Sequence, residues 1–351
     1  MKKTWLPASL IVLCFALTGC NNNPIAPEPL EPGSRNYTWK LDTLDMAMNS
    51  IRSIWGASPN DVWVTGGGWT EQANLLNYDG TNWLTYKNEP IWFSPFTLFG
   101  FSADNIWMGG SAEWFGRGAR IWHYDGVQWS QNYIYDVKAH FIIRVIDIWG
   151  TSPNHVYACG YIIFCDGINA TYRGFVLHFD GKNWEEVVRA QVDSQFLTIR
   201  KEQDRVYIQS LNPDKKAMIF YQLKNRKLKE IFSVNLDKVS WASHNIINGN
   251  VYFAIGQNVY RYLNGEIIKQ FSIPYSDFEC QIWGRHELDL FLPMKDGLVH
   301  YNGRDMKYIY KFPSKGMKFI GPPIIFEKDL FICAEYKGGQ RYNLVLHGWL
   351  P

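Results

Sequence analysis

The fold is decided by residues 54–64, which read IWGASPNDVWV, and by residues 78–83, which read YDGTNW. An apolar strand ending in Ile-Trp-Gly is followed by Ser-Pro-Asn, which predicts a tight corner because proline fixes φ and asparagine tolerates the left-handed region. Val-Trp-Val then predicts a second short strand, and Asp-Gly supplies the positive φ angles of a two-residue hairpin. The stretch therefore predicts short antiparallel strands joined by turns.

The same unit recurs along the whole chain. Its second strand is found seven times, and the first residues of successive copies are 44, 50, 50, 45, 39 and 40 positions apart. Four short strands in each such repeat are typical of a propeller blade. We therefore predict an all-β, seven-bladed β-propeller. The seven second strands begin with Asp61–Val64, Asn105–Met108, His155–Ala158, Arg205–Ile208, Asn250–Phe253, Asp289–Leu292 and Asp329–Ile332.

The last copy of the unit ends after its third strand. The segment Tyr37–Leu41 has the pattern of an outer strand, like Asn82–Thr85 of the first copy. We predict that this N-terminal segment supplies the missing strand and closes the ring, which protects the sheet edges. The tryptophans that recur in register are expected to pack the blades together, and they are Trp55, Trp63, Trp107 and Trp149.

The IWGxSPNDVW and YDGxxW repeats resemble those of envelope and secreted β-propeller proteins of Bacteroidetes-type bacteria. The resemblance is clear over residues 51–184 and weak over residues 196–351. It implies the fold and a cell-envelope location, and it implies almost nothing about chemistry, because one fold hosts many functions.

The N-terminus has the features of a secreted lipoprotein. Lys2 and Lys3 precede a mostly apolar stretch, and Leu17-Thr18-Gly19-Cys20 resembles the bacterial lipobox. That resemblance implies cleavage before Cys20, lipidation of its sulfur and an added acyl chain such as palmitate; Asn21 points to the outer membrane. An ordinary secretory signal with a chance cysteine is the alternative. The expected organisation is signal peptide 1–19, lipidated cysteine and proline-rich linker 20–36, and propeller 37–351.

The charge balance argues against a nucleic-acid partner. Residues 1–19 carry two lysines and no acid, so their removal leaves 33 basic residues against 33 acidic ones. There is no basic run, and no Ser-His-Asp elbow, HExxH, EF-hand or P-loop motif is found. We expect no cofactor and no metal, and a monomeric domain whose contact with the bilayer is the acylated Cys20.

Repeated polar residues invite chemistry but have a simpler interpretation. Histidines recur at one third-strand position, far from the axis, where different blades cannot share one ion. Aspartates recur before glycine and are expected to be turn residues. Cys159 and Cys165 either form a disulfide or belong to a set of four buried thiols with Cys280 and Cys333. The repeated residues are His123, His178, His300, Asp79, Asp125 and Asp180.

Aromatic residues outside the repeat mark a candidate binding surface. The connections between second and third strands are long in blades 1–3, at about Gly66–Asn74, Gly109–Ala119 and Gly160–Gly174. Aromatics and arginines that the repeat does not require describe a surface for a protein or a sugar, unless the loops bury their own aromatics. The candidate ligand-binding residues are Trp69, Trp92, Phe93, Trp114, Phe115, Arg117, Arg120, Tyr161 and Tyr172, with Phe164 and Arg173 nearby.

Two hypotheses for function follow. The first is a membrane-anchored, non-enzymatic binding or scaffold lipoprotein that recognises an envelope protein or glycan through blades 1–3. The second is a glycan-active enzyme with a pocket near the channel, which requires two carboxyl groups roughly 5–10 Å apart. The loop acids available for that role are Glu71, Glu113 and Asp166.

Overall fold

The computed structural model describes residues 30–46, 49–68, 74–86, 91–112, 118–137, 142–167, 169–338 and 341–351. Within these ranges the regular secondary structure is β-strand, arranged in seven antiparallel sheets inside one compact unit, Pro32–Pro351. No helix in the described part is long and apolar enough to cross a membrane. The predicted seven-bladed β-propeller is confirmed.

The first strand of the described chain, β1 (Thr38–Leu44), belongs to the last blade. Blades 1–3 follow it in order along the chain. Their strands are β2 (Asn49–Ser58), β3 (Asp61–Gly68), β4 (Asn74–Tyr78), β5 (Trp83–Thr85); β6 (Ser94–Ser102), β7 (Asn105–Ser111), β8 (Ala119–Tyr124), β9 (Trp129–Tyr135); and β10 (Ile142–Ser152), β11 (His155–Asp166), β12 (Asn169–Phe179), β13 (Trp184–Arg189).

Blades 4–7 repeat the arrangement, and in blade 7 the innermost strand is split in two. All seven second strands begin at the predicted residue. The strands are β14 (Gln195–Glu202), β15 (Arg205–Asn212), β16 (Ala217–Lys224), β17 (Lys227–Asn235); β18 (Ala242–Ile247), β19 (Asn250–Ile255), β20 (Asn258–Leu263), β21 (Glu266–Ser272); β22 (Trp283–His286), β23 (Asp289–Met294), β24 (Gly297–Tyr301), β25 (Met306–Lys311); and β26 (Met317–Phe319), β27 (Ile324–Ile325), β28 (Asp329–Tyr336), β29 (Tyr342–Trp349).

The first strands of successive blades contact one another and surround a central channel. Side chains of one first strand bond to the backbone of the next, as when Ser53 Oγ accepts from Leu98 N at 3.0 Å and Asp147 Oδ2 accepts from Ile199 N at 2.9 Å. We call the end of the ring where blades connect to one another the loop face. The opposite end, with the turns before the second and fourth strands, is the turn face.

Each blade packs on the next through an aromatic side chain at the third position of its second strand. Trp63 of blade 1 lies 5.2 Å from Tyr124 and 6.0 Å from Trp129 of blade 2, measured between ring centroids. Phe331 of blade 7 reaches Tyr78 of blade 1 at 5.8 Å, so the same contact closes the ring. The described core forms seven clusters, each shared by two neighbouring blades. The seven aromatics are Trp63, Trp107, Tyr157, Tyr207, Tyr252, Phe291 and Phe331.

The tryptophans expected to pack the blades do so. Trp55, Trp63 and Trp107 are buried, and Trp149 is partly buried against the core between blades 3 and 4. Because each side chain fills space between two sheets, its loss would leave a cavity that neither blade can close alone.

The Asp-Gly turns are longer than predicted. Tyr78 pairs with Trp83, so four residues connect the strands instead of two. Asp79 Oδ1 accepts hydrogen bonds from the backbone N–H of Thr81 and of Asn82, both at 2.8 Å, which holds the wider loop together. Gly80 has φ of 93° and takes the left-handed position. Asp125 and Asp180 make the same turn, so the interpretation of these aspartates as turn residues is confirmed.

The N-terminal strand closes the ring, as predicted. β1 pairs along its whole length with β29, from Thr38 opposite Trp349 to Leu44 opposite Asn343. The compact unit begins at Pro32, five residues before the expected boundary at Tyr37, because the preceding segment docks on blade 6 at the turn face. There Arg35 donates to Asp305 Oδ1 at 2.6 Å and to His300 O at 3.1 Å.

Ring closure can be tested by deletion. Removing residues 37–44 should leave β29 with an unpaired edge and lower the melting temperature by about 10 °C or more, since a whole strand and its buried Leu44 are lost. Removing residues 21–29 of the linker, which precede the docked segment, should leave the melting temperature unchanged. Circular dichroism melts of the two variants check this, and equal melting temperatures would contradict the closure.

Candidate functional site: the channel and its mouth

The central channel contains a cavity of about 450 Å³, which we call the deep compartment. First-strand residues of all seven blades line it, and its walls are mostly apolar and aromatic with a few polar groups. This size is within the range of small-molecule sites. Its aromatic lining residues are Trp55, Phe96, Phe99, Trp149 and Trp283, and its polar ones include Arg52, Asp147, Thr198, Arg200 and Asn245.

A second cavity of about 350 Å³ lies at the loop face, between blade 7 and the first strands of blades 1–3; we call it the mouth compartment. Arg52, Phe96 and Ile146 line both cavities, so the two compartments adjoin each other. The mouth is strongly basic where the deep compartment is apolar. Its lining residues are Ser50, Ile51, Arg52, Phe96, Ile146, Lys318, Ile320, Glu335, Lys337 and Arg341.

Glu335 organises three of the basic side chains at the mouth. Its Oε1 is 3.0 Å from both Lys318 Nζ and Lys337 Nζ, and its Oε2 is 2.5 Å from Arg341 Nη2. Burial alone would raise the pKa of this carboxyl, but the three cations outweigh burial and lower the pKa to about 2. Glu335 is therefore ionised at neutral pH and spreads one negative charge over three positive ones.

Arg52 stands where the two compartments meet. Its guanidinium lies 5.3 Å from the centroid of the Phe96 ring, and the Arg144 guanidinium lies 5.8 Å from the same ring. Burial, followed by the positive charges of Arg341 and Arg144, lowers the pKa of Arg52. Arg52 is nevertheless exposed by accessible surface. Both observations fit a side chain that projects into a solvent-filled channel and is surrounded by protein on its other sides.

The deep compartment holds one carboxylate, that of Asp147, and this group is already paired. Arg200 Nη1 lies 2.5 Å from Asp147 Oδ2, and the backbone N–H of Ile199 donates to the same oxygen. Burial raises the pKa of Asp147, against the effect of Arg200. Among the residues that the structure describes, the lining of neither compartment contains a pair of carboxylates. Of the loop acids considered from the sequence, Asp166 lies at the exposed tip of β11, and Glu71 and Glu113 lie outside the described residues.

The repeated histidines have a structural role within each blade. The third-strand residue opposite the aromatic bonds back to the first residue of the second strand. Thus His300 Nε2 is 2.7 Å from Asp289 Oδ1, and His123 Nε2 is 3.1 Å from Asn105 Oδ1. Among the described residues, no three His, Cys, Asp or Glu side chains group as metal ligands would. Asn77 with Asp61, His178 with His155 and His347 with Asp329 make the same contact.

The candidate surface on blades 1–3 is only partly described. Trp92 is exposed, with 47% of its surface accessible. Arg120 points toward the outer strand of its blade, where it donates to Gln131 Oε1. Tyr172 is partly buried, and its ring centroid is 5.8 Å from that of Tyr161. Four candidates lie outside the described residues and stay predictions: Trp69, Trp114, Phe115 and Arg117.

Two candidate residues are corrected. Phe93 has no accessible surface and stacks on Trp122 in the core between blades 1 and 2, so it cannot form part of an exposed surface. Tyr161 is likewise buried. Phe93 directly follows the exposed Trp92, and Tyr161 lies between the buried Gly160 and Ile162.

The predicted blade 3 loop at residues 160–174 is not a loop. β11 and β12 continue as a paired hairpin with Tyr161 opposite Gly174 and Asp166 opposite Asn169. The run Tyr161-Ile162-Ile163-Phe164 favours a strand because β-branched and aromatic residues fit a pleated surface. Tyr172 lies in the extended part of this hairpin, opposite Ile163.

The same hairpin excludes the Cys159–Cys165 disulfide. Six residues along one strand separate the two Cα atoms by roughly 20 Å, whereas a disulfide needs less than about 7 Å. All four cysteines of the described part are free. The alternative of four buried thiols is also wrong in one respect, because Cys165 is exposed while Cys159, Cys280 and Cys333 are buried.

The basic mouth was not anticipated from the sequence. Arg52 lies three residues before the repeat residue Trp55, and the matching residues Phe96 and Ile146 are apolar. A lone charge in an otherwise apolar inner-strand register is the signal that could have marked it. Nothing in the sequence pattern links Arg52 to Glu335, because 283 residues separate them and only ring closure brings blade 7 beside blade 1.

The architecture and channel define the class of protein, a seven-bladed β-propeller. No protein-family model and no curated protein matches this chain. Solved structures do match it. One is a catalytically inactive virginiamycin B lyase from Staphylococcus aureus with quinupristin, at 13% identity and a TM-score of 0.63, covering 90% of this chain and 100% of that one.

Two further structures have the same overall fold. YCF48 from Cyanidioschyzon merolae is 12% identical, with a TM-score of 0.55 and coverage of 88% of this chain and 98% of that one. The extracellular domain of a putative one-component system from B. thetaiotaomicron is 12% identical, with a TM-score of 0.56 and coverage of 88% and 40%. At this identity the likeness shows the fold alone.

The Glu335 cluster predicts a defined pH dependence of stability. Because the folded-state pKa of about 2 is below the ordinary value of 4.5, the charged form stabilises the fold above pH 4.5, and this contribution disappears as the pH falls toward 2. Glu335→Gln should reduce the free energy of unfolding at pH 7 by about 2 kcal/mol, and the difference from the unsubstituted protein should shrink toward pH 2.

Chemical denaturation at pH 7, 4 and 2.5 measures this difference. Glu266→Gln is the matched control, since Glu266 is an exposed glutamate at the start of β21. It should change stability little at any pH. A Glu335→Gln deficit that is constant from pH 7 to 2.5 would show that the cations do not act through the charge of Glu335.

Proposed function

We propose that this chain is a lipid-anchored, non-enzymatic binding lipoprotein of the bacterial cell envelope. The observation that carries the binding role is the channel: a cavity of about 450 Å³ with aromatic walls, adjoining a basic mouth among exposed side chains at the loop face. Such a cavity offers contact surface and charge to a ligand. Its described lining carries no pair of carboxylates of the kind that glycoside hydrolysis requires, which favours binding over the glycan-active enzyme.

The anchor is proposed from the sequence, with Cys20 as the acylated residue and the outer membrane as its location. The described chain enters the propeller at the turn face, where Gly33 N donates to Leu288 O at 2.8 Å and Arg35 bonds to Asp305. The loop face, where the mouth compartment lies, is the other end of the ring.

The partner in this proposal is an envelope protein or glycan that contacts the loop face at blades 1–3. Exposed Trp92 and the extended blade 3 hairpin with Tyr172 support this surface. Trp69, Trp114, Phe115 and Arg117 are proposed to join it. Large aromatic side chains supply much contact area with few rotatable bonds, which is why they dominate binding energies.

The anchor is tested by Cys20→Ser in the full-length chain expressed in a bacterium. The variant should lose labelling with a palmitate analogue and move from the membrane fraction to the soluble fraction, because the thiol that carries the lipid is gone. Cys165→Ser removes the exposed thiol of the propeller and is the control that should keep both properties. Continued labelling and membrane partitioning of Cys20→Ser would refute the anchor.

The binding surface is tested by substituting Trp69, Trp92 and Trp114 together by Ala in the full-length chain. Each change should alter stability by no more than about 0.5 kcal/mol, whereas Trp63→Ala in the blade interface should cost roughly 3–5 kcal/mol. Capture of a partner from detergent-solubilised envelopes should be lost in the triple variant. It should be kept in Val127→Ala, a change at an exposed turn-face residue.

Two results would contradict the proposal that these tryptophans form a binding surface. The triple variant could be as unstable as Trp63→Ala, which would make these residues core. It could also capture the same partner as the unsubstituted chain, which would place the contact elsewhere.

A further inference from the structure

We propose that the channel binds a small organic anion, with its acidic group held at the mouth by Arg52 and the cations of blade 7. This inference rests on the proposed binding function and adds the chemical class of the ligand and the residue that selects it. The class is a compact polar ring that bears a carboxylate or a phosphate, such as an acidic sugar.

The first argument is the charge of the mouth compartment. Among the described residues its lining contains Arg52, Lys318, Lys337 and Arg341 but the single carboxylate Glu335, so four positive charges face one negative charge and an excess of three remains in the described lining. Like charges held this close repel one another unless an anion or water separates them. An acidic ligand is the group that would relieve the repulsion.

The second argument is the state of Arg52. In the described part of the chain its guanidinium contacts the Phe96 ring and has no hydrogen-bonded or ion-paired acceptor. An arginine presents five N–H donors in a planar fork that matches carboxylate and phosphate oxygens. The Phe96 ring covers one side of the guanidinium and holds its plane, so the donors are preorganised for an oxygen ligand.

The third argument is the role of Glu335 as a scaffold. One buried carboxylate draws Lys318, Lys337 and Arg341 to the rim of the same cavity and fixes them there. If stability were the sole purpose of the cluster, one cation would suffice to pair one acid. Because three cations share one acid, each keeps N–H donors that Glu335 does not use, and these donors are available to a second anion at the mouth.

The deep compartment determines the size and shape of the uncharged part of the ligand. Below Arg52 the walls carry the tryptophans Trp55, Trp149 and Trp283, while the one acid, Asp147, is paired with Arg200. A cavity of about 450 Å³ accepts a body of about the size of one or two sugar rings, and aromatic walls suit the apolar faces of such rings. The ligand is therefore charged at one end and ring-shaped at the other.

Isothermal titration calorimetry of the full-length chain in detergent tests the proposal with four probes: glucuronate, glucose 6-phosphate, inorganic phosphate and glucose. We expect at least one of the two acidic sugars to bind, with an affinity that falls as salt is raised. Stronger glucuronate binding identifies the acid as a carboxylate, and stronger glucose 6-phosphate binding identifies it as a phosphate. Binding of inorganic phosphate without binding of either acidic sugar would contradict the proposal. Neutral glucose should bind at least about tenfold more weakly.

Substitution identifies the residue. Arg52→Gln should weaken binding of the acidic probe by at least about tenfold without lowering the melting temperature, because Arg52 bonds to no described acceptor. Arg304→Gln makes the same charge change at an exposed turn on the turn face and should leave binding unchanged. Glu335→Gln releases Lys318, Lys337 and Arg341 from the carboxylate that holds them at the rim, and it should also weaken binding of the acidic probe.

Three results would overturn the inference: no binding of either acidic sugar, equal binding of glucose, or full binding by Arg52→Gln. Any of these would leave the proposed function standing if the tryptophan triple variant still loses its envelope partner. The channel ligand is thus tested with Arg52→Gln, and the envelope partner is tested with the tryptophan triple variant.

Discussion

The aromatic side chain at the third position of each second strand, packed against the next blade, is the contact on which the ring depends. A single blade is a four-stranded sheet with two apolar faces and cannot bury both alone. Trp63, Trp107 and their five counterparts fill the space between sheets, and the seven core clusters each draw residues from two blades. Stability is therefore shared around the ring, and it requires the last blade to meet the first.

That requirement explains the N-terminal strand. β1 completes blade 7 from the other end of the chain, and Leu44 and Met46 at its end enter the cluster that joins blade 7 to blade 1. The docking of Arg35 on blade 6 extends the same closure by one more blade. A ring closed by both ends of the chain also fixes its innermost strands, and these create the channel.

The site is a consequence of this closure. Arg52 comes from blade 1 and Glu335, Lys318 and Lys337 come from blade 7, so the basic mouth exists only at the junction that β1 seals. Arg52, Lys318, Lys337 and Arg341 are exposed or half-exposed, which lowers the cost of placing these positive charges together. The nearly neutral charge of the whole chain gives no sign of this local excess. The polar pairs within blades, such as His300 with Asp289, instead link the second and third strands of one blade.

The all-β class, the seven blades, the first residue of every second strand and the closing role of Tyr37–Leu41 could be predicted from the amino-acid sequence, because periodicity and turn chemistry act over a few neighbouring residues. The recurrence of the aspartates and histidines likewise assigned them to turns and to third-strand positions of the repeat. The burial of Phe93 and Tyr161, the hairpin within residues 160–174 and the meeting of Arg52 with the Glu335 cluster became visible only in the folded chain. Those outcomes depend on which surfaces the neighbouring blades cover and on contacts between residues hundreds of positions apart, and no local pattern encodes either.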